Sequence, residues 1–472
     1  MSRLVALLAA ALAASALAAP AAQGAFGIAP GSLDGSISAR DGGVYSQAAG
    51  HPWSGTVSFE LNTELNGKGR PLSSEADLKD VFVEIPPGLV GNPLATPRCE
   101  RRVFLNRGIC PASTQVGVSE VFASRGGGEL LHAPVYNLVP ARGAPAEFGF
   151  VPGGAVTIAR PALRSDGDYG ITAEVLNSPQ IASVLASSFT LWGFPAHPAH
   201  DSERGNFEPF GVFCGLDEAG EPISGPPCPS GAEVMPFWTM PTDCAHGPFE
   251  TRLRVTSWLG HEDSAVFTSH DGAGNEIGVT GCEAVPFEPQ IEAAPTSAQA
   301  SSAAGLDFDL RLPTAGLTDP DGTAQAHVKK TVVTLPEGVT VNPSSAEGLG
   351  VCSEAQLARE RADSAPGAGC PDASTVGDVS IASPLISERL EGSLYVAEPY
   401  ANPTGSLIAL YIVARSPERG LIVKLAGKVE PDPRTGQLIT TFEGLPQLPF
   451  SAFELRFREG ARAPLITPPG CG

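Results

Sequence analysis

The stretch V-V-T-L-P-E-G-V-T-V-N-P at residues 332–343, followed by Cys352 and then by C-P-D-A-S-T-V-G at 370–377, occurs twice in the chain. The earlier copy reads V-F-V-E-I-P-P-G-L-V-G-N-P at 81–93, then Cys99, then C-P-A-S-T-Q-V-G at 110–117. The copies are offset by 250 residues at Gly88 and Gly338, by 253 at the first cysteines and by 260 at the second. Loop insertions in duplicated modules produce such a drift, and a repeat of this kind decides the fold before any single element does. In each copy an apolar run with period two reads as a half-buried strand. Pro86 or Pro336 stops it, because proline has no N–H to give the ladder. A cysteine pair then closes a loop, and Val-Gly re-enters the sheet.

Working outward, residues 56–61 alternate as a strand and match 306–310 through Phe59 and Phe308. Runs at 115–123, 129–138 and 146–151 match 376–381, 392–397 and 407–413; 168–176 matches 436–442, and 188–192 matches 453–457. Between the later cysteines, Ser353 and Gln356 form a capping box ahead of a short helix, with a weaker equivalent at 100–106. About eight strands per module predict an all-β chain of two tandem antiparallel β-sandwich modules, Ig-like or jelly-roll-like, with short helical turns. The boundaries read as a signal peptide at 1–24, a flexible lead-in at 25–50 and a first module at 51–290 with an insertion at 194–236. A linker at 291–304 and a second module at 305–472 complete the chain.

The 472 residues open with Arg3 and an Ala/Leu-rich run at 4–19, a secretory signal followed by cleavage sites after Ala18 or Gly24. No later run is long enough to span a membrane. The 54 glycines and 45 prolines are spread along the chain and punctuate short strands. With 51 acidic against 30 basic side chains the surface is negative, which speaks against nucleic acid and anionic membrane surfaces as partners.

Nine cysteines in an exported chain imply disulfides. The duplication pairs Cys99 with Cys110 and Cys352 with Cys370, each closing a short loop worth about 3 kcal/mol in the chain-entropy model. The insertion pairs Cys214 with Cys228, which leaves Cys244 with Cys282. Cys471 resembles Cys244 and has no partner equivalent to Cys282, so the chain is expected to end mid-module; an intermolecular bond is the rival explanation.

The two motifs above, with G-S-L-Y-V-A-E-P-Y at 392–400, V-K-L-A-G-K-V at 423–429 and A-P-L-I-T-P-P-G-C-G at 463–472, resemble large secreted repeat-containing proteins of high-GC actinobacteria. The resemblance covers nearly all of the chain after the signal. It implies export and repeated β modules and supplies no catalytic residues.

Chemistry-bearing clusters are few. His197, His200 and Asp201 have metal-ligand types at close spacing and could hold zinc with an open position; the alternative is a polar loop in which Asp201 pairs with Arg204. Asp319 and Asp321 beside Gly322 could hold peripheral calcium but lack the downstream acid of an EF-hand and read as a turn. No other cofactor is expected. Trp192, Trp238 and Trp258, with Trp53, could form a ligand platform for sugar, against the commoner role of core packing. Nucleophile elbows and phosphate-cradling glycine loops are absent. The expected function is a secreted, non-enzymatic structural or adhesive component whose partner is an extracellular protein or cell-wall glycan. A carbohydrate-binding or carbohydrate-active wall protein is the alternative, and a metal-dependent hydrolase at His197 and His200 the second. Paired carboxylates in a cleft would favour a hydrolase.

Overall fold

Residues 25–470 are described by the computed structural model, except 70, 74, 125–127, 209–210, 217–221 and 226; residues 1–24, expected above to be a signal peptide, and Cys471 lie outside them. The all-β expectation holds: two large antiparallel sheets, each curled on itself, contain most of the strand residues.

The first sheet contains β1 (Ile37–Ser38), β2 (Ser54–Glu60), β3 (Leu78–Glu84), β4 (Gln115–Ala123), β5 (Glu129–Leu138) and β6 (Glu147–Phe150). It continues with β7 (Thr157–Leu163), β8 (Ile171–Val175), β9 (Val184–Trp192), β10 (Glu250–Ser257) and β11 (Glu262–Thr268). Their spatial order is β1-β2-β9-β4-β5-β6-β7-β8-β3-β10-β11. The second sheet contains β12 (Gln290–Pro295), β13 (Leu306–Arg311), β14 (Lys330–Thr334), β15 (Thr375–Ala382) and β16 (Leu390–Val396). It is completed by β17 (Ile408–Ser416), β18 (Leu421–Pro431), β19 (Leu438–Glu443) and β20 (Ala452–Phe457), in the order β12-β13-β20-β15-β16-β17-β18-β19-β14. Eight strands of the first sheet, from β2 to β3 in that order, follow the same path as the eight from β13 to β14.

Both sheets curl until their ends face each other. In the first, Phe59 on β2 packs with Leu253 and Val255 on β10, near the opposite end. In the second, Phe308 and Leu310 on β13 pack with Val333 on β14. Alternation supplies the inner face: along β13, Leu306, Phe308 and Leu310 point inward while Asp307 and Asp309 point out to Arg456 of β20.

All four expected disulfides are present, Cys99–Cys110, Cys214–Cys228, Cys244–Cys282 and Cys352–Cys370, with Cα separations of 5.9, 5.0, 6.1 and 4.9 Å. The two equivalent staples are built alike. Cys99 N–H donates to Asn137 O and Cys352 N–H to Val396 O, both at 2.8 Å, so each first cysteine lies against the end of β5 or β16. After the second cysteine, Thr114 and Ser374 each return a hydroxyl to the carbonyl of Pro111 or Pro371. The staple loop carries α1 (Arg101–Arg107) in the first module and α2 (Glu354–Ala358) in the second, where the Ser353–Gln356 capping box forms as expected.

Two expectations are corrected. The segment 25–50 is no loose lead-in: Phe26, Ile28, Leu33 and Ile37 are buried, and Ile28 N–H donates to Asp263 Oδ2 at 2.8 Å, so the segment spans the seam between β2 and β11. The interval 291–304 is not a free linker, because most of β12 falls in it and pairs along all six of its residues with β13. Its side chains are exposed, as those of an edge strand can be, and that polarity is why it read as a connection.

Candidate functional site

The inner face of the second sheet does not close on itself. Leu306, Phe308 and Leu310 of β13, Phe453, Leu455 and Phe457 of β20, and Leu421, Leu425 and Val429 of β18 line a cavity of about 610 Å³. The first module contributes Phe148, Ala159, Pro161, Phe189, Phe237 and Trp238 from its own inner face, so the space lies between the two modules. Among the described residues no ionisable side chain lines it. Its polar side chains are largely engaged already: Asn342 donates to the carbonyls of Ala461 and Ala463, Ser345 to Asn342 O, and Ser383 to Pro449 O.

The modules are held in this arrangement by contacts around the cavity. Tyr169 Oη donates to Lys424 O at 2.7 Å and accepts from Lys424 N–H at 2.9 Å. Gly143 N–H donates to Glu418 O, Ala324 N–H to Ala49 O, and His51 places one ring nitrogen 2.9 Å from Trp238 O and the other 2.9 Å from Gly316 O. Lys329 pairs with Asp243 across the same boundary.

The size of the space is informative. A volume near 610 Å³ falls in the range of about 300–1,000 Å³ typical of small-molecule sites. The space is partly open to solvent, and its apolar wall is surface that a hydrocarbon ligand would remove from water, at about 25 cal/mol for each Å² covered. Water filling it would find few groups to bond, whereas hydrocarbon needs none.

The clusters expected from sequence lie elsewhere and do not converge. His200 is 3% exposed and stacked between Trp192 and Trp53, with ring centroids at 4.3 and 4.8 Å. His197 Nδ1 accepts from Ala199 N–H, and Asp201 pairs with the fully buried Arg204. Among the described residues no three His, Cys, Asp or Glu side chains are placed to share an ion, so His197, His200 and Asp201 are not brought together as the ligand set expected for zinc. Asp319 accepts from Asp321 N–H in a plain turn. The tryptophan platform does not assemble either. Trp192 is buried against His200 and Trp238 lines the cavity with Nε1 on Leu191 O, while Trp258 sits on an exposed turn bonded to Ser178 O.

A separate recess of about 270 Å³ gathers Glu84, Asp168 and Glu250 beside Arg164 and Arg252. Glu250 is paired with Arg252 at 2.6 Å. Burial pushes the Asp168 carboxyl up, but the fork from Arg164 at 2.7 and 2.9 Å and the Gly170 N–H outweigh it and hold the group below the usual carboxylate range. Asp168 is thus no proton donor for glycoside cleavage, which requires an acid with a raised pKa.

Burial, reinforced by the charge of Arg204, pushes His200 down to about 3, and burial alone pushes His327 down to about 4. Both rings are neutral in the folded chain, whereas unfolded histidine takes a proton near pH 6.5. The stability tied to their neutrality is complete above that pH and is lost as pH falls towards the folded values. Between about pH 7 and pH 5 the chain should lose on the order of 3 kcal/mol, read as a falling urea midpoint. His200→Phe, which keeps a ring between the two indoles, should roughly halve the loss. A midpoint flat across that interval would contradict the neutral burial.

Against protein-family models, curated proteins and solved structures, the chain finds no match. No helix among the described residues is long and apolar enough to cross a membrane.

The cavity wall is the element that sequence reasoning missed. The signal was present as strict alternation in L-D-F-D-L at 306–310 and F-E-L-R-F at 453–457. It identified an inner face without saying what that face would meet.

Proposed function

We propose that the chain is an exported binding protein that holds the long hydrocarbon chain of a lipid between two copies of one β module. The observation that carries the reading is the cavity of about 610 Å³ between the modules, lined by apolar side chains from both and by no ionisable group among the described residues. Export is supported by the signal-like residues 4–19 and by four disulfides, which persist in oxidising compartments. Duplication is supported by the shared order of eight strands and by the matching staples.

The structural or adhesive role expected from sequence calls for filled module cores, and a glycan calls for hydrogen-bonding groups that this wall lacks. A hydrocarbon chain suits both the size and the chemistry of the space. The test is titration of the purified protein with an environment-sensitive polyene fatty acid, together with mass spectrometry of an organic extract of the protein. Saturable binding in the micromolar range or tighter is expected, and Leu425→Glu, which puts a carboxylate into the wall, should weaken it about tenfold or more. The absence of saturable binding by the parent protein would overturn the proposal.

A further inference from the structure

The first module has an inner cavity of its own, about 200 Å³, lined by Val57, Phe59, Val83, Phe150 and Val175 among others. Six residues, Ile85, Ala159, Ala173, Phe189, Leu191 and Trp238, line both this space and the larger one. The two cavities are thus adjacent on the inner face of the first sheet, with these six side chains as the wall they share and the place where a window between them would lie. β7 and β8 form one side of it, where Ala159 lies opposite Val175 and Ala173 opposite Pro161. β9 forms another through Phe189 and Leu191, with Trp238 anchored by its indole N–H to Leu191 O at 3.1 Å.

From this geometry we infer that a single chain threads the window and occupies both modules, and that the window sets the chain length the protein accepts. The inference rests on the lipid reading of the larger cavity and extends it to a specificity-determining position. Two of the six shared residues are alanines on neighbouring strands, so the wall carries least side-chain bulk there. Phe189 is the largest movable group at its rim, since Trp238 is tied by its hydrogen bond. A short chain is satisfied by the larger cavity alone. A longer one gains burial only by passing Ala159 and Ala173 into the smaller space, with about a fourfold gain in affinity for each further methylene buried.

The experiment measures affinities of the purified full chain for straight-chain fatty acids, from short to very long, in the parent, Ala173→Trp and Phe189→Ala proteins. In the parent, affinity should continue to rise with length beyond what the larger cavity holds. Ala173→Trp, whose ring also reaches the larger cavity, should weaken chains of every length, and the longest about tenfold or more beyond the short ones. Phe189→Ala should shift the preferred length upward, and it serves as the second arm if the tryptophan variant fails to fold. If the parent binds no chain of any length, both the lipid reading and this inference fall. If chains bind and either folded variant keeps the parent's length profile, the lipid reading stands and the shared window is refuted.

Discussion

Replacing Glu360 with alanine should cost the second module about 3–5 kcal/mol, the range for removing one partner of a buried ion pair. The Glu360 side chain is fully buried, and its two oxygens are both used. One accepts from Cys370 N–H at 2.9 Å and the other from Arg415 Nη1 at 2.8 Å. Arg415 is itself only 12% exposed, so without the carboxylate the guanidinium loses its counter-charge and keeps the Ser364 carbonyl at 3.1 Å, while the Cys370 N–H loses its acceptor. The pair ties the Cys352–Cys370 loop to β17, whose outer face carries the buried Tyr411 and Val413 and whose inner face reaches the cavity through Leu410 and Ile412. Loosening the loop should therefore weaken lipid binding as well as stability. Glu360→Gln keeps an acceptor for the Cys370 N–H but loses the charge, and should fall between alanine and the parent. Urea midpoints of the three proteins decide the matter, and a cost below about 1 kcal/mol for alanine would show that the carboxylate is not what holds the loop.

Nothing in the sequence marked Glu360 as buried; it followed Arg359 in a stretch that reads as an exposed helical turn. What was legible in the chain was local or repeated. Pro86 and Pro336 end strands because of a missing N–H, the Ser353–Gln356 capping box is a matter of four residues, and the recurring cysteine motif suggested how Cys99, Cys110, Cys352 and Cys370 pair. What escaped depends on distant partners. β7 was hidden by Arg160 and Pro161 in mid-strand, although Arg160 turns outward to the buried Glu147 at 2.8 Å while Pro161 lines the cavity. Phe26 and Ile28 looked like isolated apolar residues in a small, Gly-rich segment, and only the seam between β2 and β11 gives them a place to be buried. The cavity was the hardest to see. Alternation in β13 and β20 is the same whether the inner face meets another sheet or surrounds a space, and the curl of the sheet decides between them.

The repeated Val-Gly that closes each copy of the opening motif carries the other large expected effect. At Gly117 an added Cβ would lie 2.0 Å from the carbonyl oxygen of Thr190 on β9, and at Gly377 it would lie 2.7 Å from that of Arg456 on β20. Both obstacles are backbone atoms in a paired strand, so neither can rotate away. Both glycines also sit where the register shifts, between Gln115 and Gly117 and between Thr375 and Gly377, as at a β-bulge that presses one strand towards its neighbour. Gly117→Ala and Gly377→Ala should each destabilise by about 1–3 kcal/mol or more, the usual cost of overpacking, with Gly117 the costlier because its clash is closer. Gly67→Ala, where an added Cβ meets nothing within 4 Å, should stay within about 0.5 kcal/mol of the parent in the same urea series. The reverse order, or a neutral Gly117→Ala, would mean that β4 and β9 are not packed as closely as described. If the two motif glycines fail in parallel while Gly67 does not, the residues repeated between the modules are those whose backbone the sheet geometry constrains. The large inward side chains, by contrast, are free to differ between modules, as Phe189 and Leu191 of β9 do from Leu455 and Phe457 at the same register of β20, and so to shape two unequal cavities on one strand plan.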